Sequence, residues 1–366
     1  MKILKLDSVY KTMEKGVQEK VFPGAVLLVS LESDIVFFDS FGVADLNTRE
    51  RVETDIVFDL ASLTKPLATT LALATLFDKG LLCPDQRLGT IMKEALHTDK
   101  ENITIDQLMR HVSGLPAHRP YYEKLAGLPW TDRKKRIEKM ILHEPLTAVP
   151  GTCEIYSDLG FLLLGFIIEK VTGLSFAGCV QKAFYAPLGL KDLFFVENNN
   201  LKSPDKTGQR RFAATEYCPW RKKILKGEVH DENAWAAGGV AGHSGLFGTA
   251  WDVWKLVHTI MTDLQGETNK IIKSKTLSFL AEKKNKGSRA AGFDTPSSEN
   301  SSAGKFFSPS SLGHLGFTGT SFWMDPEKSI IVLLLTNRVH LNRSNIKIRQ
   351  FRPVIHNLVM EILMDF

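Results

Sequence analysis

Cysteine is scarce and scattered. The four thiols, Cys83, Cys153, Cys179 and Cys218, form no C-x-x-C pair and no metal-ligand spacing, which predicts free thiols in a reducing compartment rather than a disulfide framework or a structural metal site. Long apolar runs are also lacking. The longest, from Phe161 to Ile168, is too short to span a bilayer. The first eight residues, MKILKLDS, hold no extended apolar core ahead of their acidic residue, which argues against a secretory signal and for a cytoplasmic location. Charge of one sign is missing too. The formal net charge of +5 over 366 residues is small, and the densest basic runs, Arg133-Lys134-Lys135-Arg136 and Arg221-Lys222-Lys223, are short and have acidic neighbours. They read as solvated faces, so no nucleic-acid partner is expected.

What is present is an ordinary globular composition, 43% hydrophobic and 24% charged, on a chain long enough for a large core and two lobes. Helical spacing of Val9, Met13 and Val17 predicts a helix over 7–19. Two β-rich runs, 25–30 and 35–40, flank Glu32-Ser33-Asp34 and suit a hairpin. A nearly all-apolar helix covers 66–79 and stops at Gly80. Further helices are predicted over 104–111, capped by Thr104, over 131–142, and over 159–172, ended by Gly173. Residues 284–311 are polar and turn-rich and read as one long loop. Beyond it, 321–324 and 329–336 flank Asp325-Pro326-Glu327-Lys328 as a second hairpin, and a last amphipathic helix covers 352–364. The expected fold class is α/β (α+β): one antiparallel sheet built from both chain ends and flanked by helices, with a mostly helical lobe inserted. In a single catalytic domain, 1–58 and 236–366 would form the α/β lobe and 59–235 the helical one.

The chemistry centres on Ser62-Leu63-Thr64-Lys65. Residues three apart on a helix share a face, so the Ser62 hydroxyl and the Lys65 amine can touch where the helix N-terminus favours an oxyanion. Burial lowers the proton affinity of a lysine, which could then share the serine proton. Alone, S-x-x-K occurs often by chance, and partners are needed. Tyr156-Ser157-Asp158 places a phenol and a carboxylate two apart in an extended segment, on one side of the chain. His314-Leu315-Gly316 comes just before the C-terminal hairpin, where a glycine lets backbone approach a substrate. His230-Asp231-Glu232 could be taken for metal ligands, but adjacent residues rarely converge on one ion, and a substrate-lining loop is the preferred reading. His111 and His243 sit beside glycine turns and are expected to be structural hydrogen-bond donors.

S-x-x-K at 62, Y-x-D at 156 and H-x-G at 314, in that order, resemble the three motifs of the serine β-lactamase and penicillin-binding protein superfamily, in its class C-like branch. The resemblance runs from about 10 to 360 and includes Leu108 to Pro116. It implies Ser62 as the acylated nucleophile, Lys65 as the group that takes or relays its proton, and Tyr156 as proton donor to the leaving group or activator of the deacylating water. It also implies an oxyanion hole from the N–H groups of Ser62 and Phe317. Asp158 stands where asparagine is usual; when ionised it only accepts hydrogen bonds, and it would hold Lys65 charged and shift the base role to Tyr156. His314 stands where lysine is frequent and would be a weaker, pH-dependent anchor for a substrate carboxylate. Both lower the expectation of efficient β-lactam hydrolysis.

Residues 227–234 and 238–247, with the Tyr156 and His314 segments, resemble a bacterial subgroup linked to cell-wall turnover. The implied reaction there is cleavage of the amide between N-acetylmuramic acid and L-alanine in muropeptides, with no metal and no organic cofactor. An esterase, D-amino-acid peptidase or β-lactamase of the same fold, and a binding or sensing protein that has lost turnover, are the alternatives. The oligomeric state is left open.

Overall fold

The computed structural model describes residues 6–125, 127–197, 210–268, 270–284 and 289–364. The start of the N-terminal stretch, 1–5, and positions 285–288 of the predicted long loop lie outside the described residues. Among the described residues, no single helix is long and apolar enough to cross a membrane.

Among the described residues there are eleven strands, six of them in the main sheet. In chain order the strands are β1 (Gly24–Leu31), β2 (Asp34–Asp45), β3 (Glu50–Arg51), β4 (Phe58–Asp59), β5 (Leu193–Phe195), β6 (Tyr217–Cys218), β7 (Lys223–Ile224), β8 (Leu246–Gly248), β9 (Leu312–Leu315), β10 (Ser321–Asp325) and β11 (Ile330–Thr336). The sheet order is β3-β2-β1-β11-β10-β9, and every neighbouring pair is antiparallel. The sheet is thus shared by the two chain ends, as expected, with Leu28 opposite Leu333 across the seam. Both predicted hairpins form, and Asp325 shapes the second by accepting the N–H groups of Glu327 and Lys328 at 3.1 Å each.

The strands read as unbroken apolar runs because both faces are covered. Val26 and Leu28 with Leu333 and Leu335 face the serine helix and the helix Ala250–Gln265, whereas Ala25, Leu27, Val29, Val332 and Leu334 face Val9, Met13, Ile355 and Val359 of the two terminal helices. The two-residue period of a strand sorts them.

The structure adds elements that the sequence reading lacks. The helices Ala250–Gln265 and Ser274–Ala281 fall in the C-terminal third, read there only as strands, loop and last helix. A three-stranded sheet, β4-β8-β5, takes β5 from the section read as helix and loop. It has only two or three residues per strand, too few for a period to show. The predicted helix 66–79 starts earlier, with a 3₁₀ turn Ala61–Leu63, passes through a π-helical turn Lys65–Thr70 and becomes α-helical over Leu71–Asp78. Such π turns are common at functional sites.

Candidate active site

Ser62 follows the exit of β4 and lines a cleft of about 670 Å³. Ala61 before it has φ of 48°, a left-handed conformation that is costly for a residue with a Cβ. Asp59 holds it there, its Oδ1 accepting the Ala61 N–H at 2.8 Å while Oδ2 accepts the His230 N–H at 2.6 Å. Burial is the main reason why the Asp59 carboxyl titrates above its usual range.

Lys65 is fully buried, and its ammonium meets three acceptors: Ser62 Oγ at 2.9 Å, Asp158 Oδ1 at 2.7 Å and the His243 carbonyl at 3.1 Å. Three N–H donors match three acceptors. Burial works against this charge, but the Asp158 carboxylate and the Tyr156 phenol outweigh it, and the Lys65 pKa is raised. The expectation that burial alone would lower it is corrected, whereas the expectation that Asp158 would hold Lys65 charged agrees with the pair, which decides the sign. Burial opposes the Asp158 charge as well, but Lys65 and His118 hold its pKa well below the carboxylate range. Tyr156 packs over Lys65, with Nζ at 4.8 Å from the ring centre. Burial raises the pKa of its phenol above the ordinary value, and the nearby Lys65 ammonium and Ser62 hydroxyl, which favour the ionised form, offset this only in part.

The helix Asp158–Thr172 presents Asp158 from its first turn. Ser157 caps it, its Oγ accepting the Gly160 N–H at 3.3 Å, and Gly173 ends it with φ of 67°. The segment 242–246 crosses this helix at Gly165, where a Cβ on Gly242 would lie 2.2 Å from the Phe161 carbonyl oxygen. Only glycine fits there, and the close approach delivers the His243 carbonyl to Lys65.

β9 closes the cleft. The turn after it is bound to the backbone just before the nucleophile: Thr318 Oγ1 donates to the Asp59 carbonyl at 2.7 Å and Thr320 Oγ1 to the Leu60 carbonyl at 3.0 Å. A Cβ on Gly316 would sit 2.0 Å from Thr320 Oγ1, so the glycine is needed for this contact. Phe317 is 48% exposed on the rim, and its carbonyl accepts two N–H groups of Arg338, at 3.0 and 2.5 Å.

His314 lines the cleft, but burial disfavours the cationic form that the anchor expected from the sequence needs. Its Nδ1–H donates to the Leu315 carbonyl at 3.0 Å, and burial, helped by Lys65 and Arg289 against Asp294, pulls its pKa down to about 4. The ring is neutral at pH 7. The cations of the cleft are instead arginines that sequence reasoning missed: Arg289, Arg338, Arg343, Arg349 and Arg352. Arg352 lies buried behind the Gly316 turn, donating to the Thr320 carbonyl at 2.8 Å, with a pKa lowered to about 9 by burial and by Arg338. A sequence signal existed, because Arg349 and Arg352 open the last helix, but nothing local pointed them at Ser62.

His230, Asp231 and Glu232 all line the cleft, in keeping with the substrate-lining reading. Glu216, Cys218 and Glu232 come within metal-ligand distance of one another, yet the Arg343 guanidinium already pairs with both glutamates. The four cysteines are free thiols. His243 Nε2 lies 2.9 Å from Asp231 Oδ1, where it can donate, whereas His111 departs from expectation: its Nδ1 accepts the Ser157 N–H at 2.9 Å.

The model of the family described as Beta-lactamase matches residues 9–355. An Escherichia coli (strain K12) protein named "Putative D-alanyl-D-alanine carboxypeptidase" is 29% identical over 355 residues, covering 90% of this chain and 82% of that protein. Among solved structures, EstCE1, a hydrolase with promiscuous acyltransferase activity, superposes with a TM-score of 0.73 at 20% identity, over 95% of this chain and 98% of its own. The octameric penicillin-binding protein homologue from Pyrococcus abyssi gives 0.70 at 20% identity, over 96% and 77%.

Proposed function

This chain belongs to the beta-lactamase family and is a serine hydrolase, and from that premise we propose that it cleaves an amide bond in peptidoglycan fragments through an acyl-enzyme on Ser62. The observation that carries the reading is the three-acceptor seat of Lys65. Because the ammonium donates to Ser62 Oγ, the serine's own hydrogen is free to turn to the Tyr156 oxygen. A neutral phenol is a poor base alone but a good relay. As Ser62 Oγ bonds to the carbonyl carbon, its proton passes to the Tyr156 oxygen while the Tyr156 proton passes to the leaving nitrogen, and the amide C–N bond breaks. Lys65 stabilises the charge that develops on both oxygens, and the N–H groups of Ser62 and Phe317 receive the carbonyl oxygen. Water then retraces the path: its oxygen bonds to the acyl carbon as one of its protons goes to Tyr156, the Tyr156 proton returns to Ser62 Oγ, the ester C–O bond breaks, and the product leaves as a carboxylic acid that ionises in solvent.

Two bonds of a muropeptide compete. The amide between N-acetylmuramic acid and L-alanine is supported by the resemblance of 227–234 and 238–247 to the cell-wall turnover subgroup. The terminal D-alanyl-D-alanine bond is supported by the name of the Escherichia coli relative and by cleft arginines suited to a terminal carboxylate. We favour the first. Incubating a disaccharide pentapeptide with the protein and with Ser62→Ala, followed by mass spectrometry, separates them: free pentapeptide supports the muramoyl amidase, loss of one alanine the carboxypeptidase. Equal products from the wild type and Ser62→Ala would remove the mechanism.

A further inference from the structure

The carboxylates that line the cleft are not equivalent. Asp158 pairs with Lys65, Asp294 with Arg289, and Glu232 with Arg343. Asp231 differs: among the described residues, no lysine or arginine pairs with it. Its Oδ1 caps the helix Glu232–Ala236 by accepting the Ala234 N–H at 2.7 Å and accepts also from His243 Nε2 at 2.9 Å. His243 Nδ1, on the far side of the ring, is buried and has no hydrogen-bond partner. Burial opposes the Asp231 charge, but His243 and the Ala234 N–H hold its pKa down at about 2.

A second observation points to the same cleft. Ser244 is only 2% exposed and lines the cleft with Ser62, yet its hydroxyl has no hydrogen-bond partner. It is held in place on both sides. Thr69 Oγ1 donates to the Gly242 carbonyl at 2.5 Å, Lys65 to the His243 carbonyl, and the Leu246 N–H to Thr64 Oγ1 at 3.1 Å. A rigidly placed hydroxyl left unpaired and an ionised carboxylate that faces histidines but no lysine or arginine among the described residues both suit a protonated amine.

We propose that Asp231 and Ser244 form a specificity site for a free amino group of the substrate, the carboxylate taking the ammonium charge and the Ser244 oxygen accepting one of its N–H bonds. The inference rests on Ser62 as the reacting centre of this cleft. It narrows the substrate to peptides that carry an unblocked amine as well as the carboxylate that suits the arginines. A charge-assisted contact of this kind discriminates by about 10- to 100-fold.

The test is made on binding, so that it does not depend on turnover. Titration calorimetry on Ser62→Ala with L-lysyl-D-alanyl-D-alanine and its α-acetylated, ε-acetylated and doubly acetylated forms should show about 10- to 100-fold weaker binding once the recognised amine is blocked. The preference should collapse in Ser62→Ala combined with Asp231→Asn, which keeps an oxygen for the helix cap and for His243, and should shrink in the combination with Ser244→Ala. Equal binding of all four peptides, no binding of any, or a preference that survives both changes overturns the proposal. Labelling of wild-type Ser62 by a neutral fluorophosphonate is read separately: its failure would sink the acyl-enzyme reading and leave the calorimetric answer intact.

Discussion

Replacing Asp158 by asparagine isolates what fixes the charge of Lys65. At 2.7 Å and an effective dielectric of about 20, the attraction between the two charges is about 6 kcal/mol before desolvation is counted. Breaking a buried pair by removing one charge typically costs about 3–5 kcal/mol. The introduced amide would keep an acceptor oxygen towards the ammonium, which places the loss near the lower end, about 3 kcal/mol. Lys65 can escape part of that cost by releasing its proton, and at 1.36 kcal/mol per unit the pKa would fall by about 2 units. A neutral Lys65 then becomes a base for Ser62, about 100-fold more populated at a given pH than before. Following acylation of Ser62 by a fluorescent penicillin from pH 6 to 10, with chemical denaturation alongside, reads both consequences. We expect Asp158→Asn to be less stable by about 3 kcal/mol or less, and to acylate faster, with the rising limb of its pH profile moved to lower pH by about 2 units. A variant of unchanged stability and unchanged pH profile would show that the carboxylate does not hold the lysine proton, and the relay through Tyr156 would lose its premise.

Three more expectations follow from the same geometry. Tyr156→Phe removes the relay, so amide turnover should fall by about 100-fold or more while an activated nitrophenyl ester, whose leaving group needs no proton, loses much less; equal losses in a side-by-side kinetic comparison would refute the role. Gly242→Ala puts a methyl 2.2 Å from the Phe161 carbonyl oxygen, backbone against backbone, and should cost about 2–3 kcal/mol in denaturant titration and slow Ser62 acylation by shifting the His243 carbonyl. His314 carries a pKa of about 4 folded against 6.5 unfolded, so between these values the unfolded chain binds more protons. Its contribution is present in full above pH 6.5 and is lost as pH falls towards 4, about 3 kcal/mol in all, and His314→Gln should lose that part of the pH dependence of stability while the wild type keeps it.

Much of the fold was legible because strong periodicities carried it. The terminal helix seeded by Val9 and Met13, the hairpin closed by Asp325, the buried helix ended by Gly173 and the sheet shared by both chain ends all had local signals that tertiary packing only ratified. The helix Ala250–Gln265 was missed although Thr249 caps it, its Oγ1 accepting the Asp252 N–H, because the β-branched residues Val253, Val257, Thr259, Ile260 and Thr262 dilute its helical propensity. The two- and three-residue strands β4, β5 and β8 had no readable pattern, since pairing partners far along the chain, and not local propensity, make them.

At the site, the sequence determined which functional groups are available and in what order, and it supplied the turn and helix starts that aim Ser62, Lys65, Tyr156 and Asp158. Asp158 hinted at a charged Lys65, but protonation across the site was decided by the tertiary structure. Whether a buried lysine is a base or a fixed cation depends on a carboxylate 93 residues away arriving at 2.7 Å, and whether a histidine can anchor an anion depends on how completely the fold strips it of water. The arginines near Ser62 come from separate elements that meet only once the chain ends close into one sheet. Electrostatic energy varies with distance and solvent exposure, and neither is a property of any short stretch of chain.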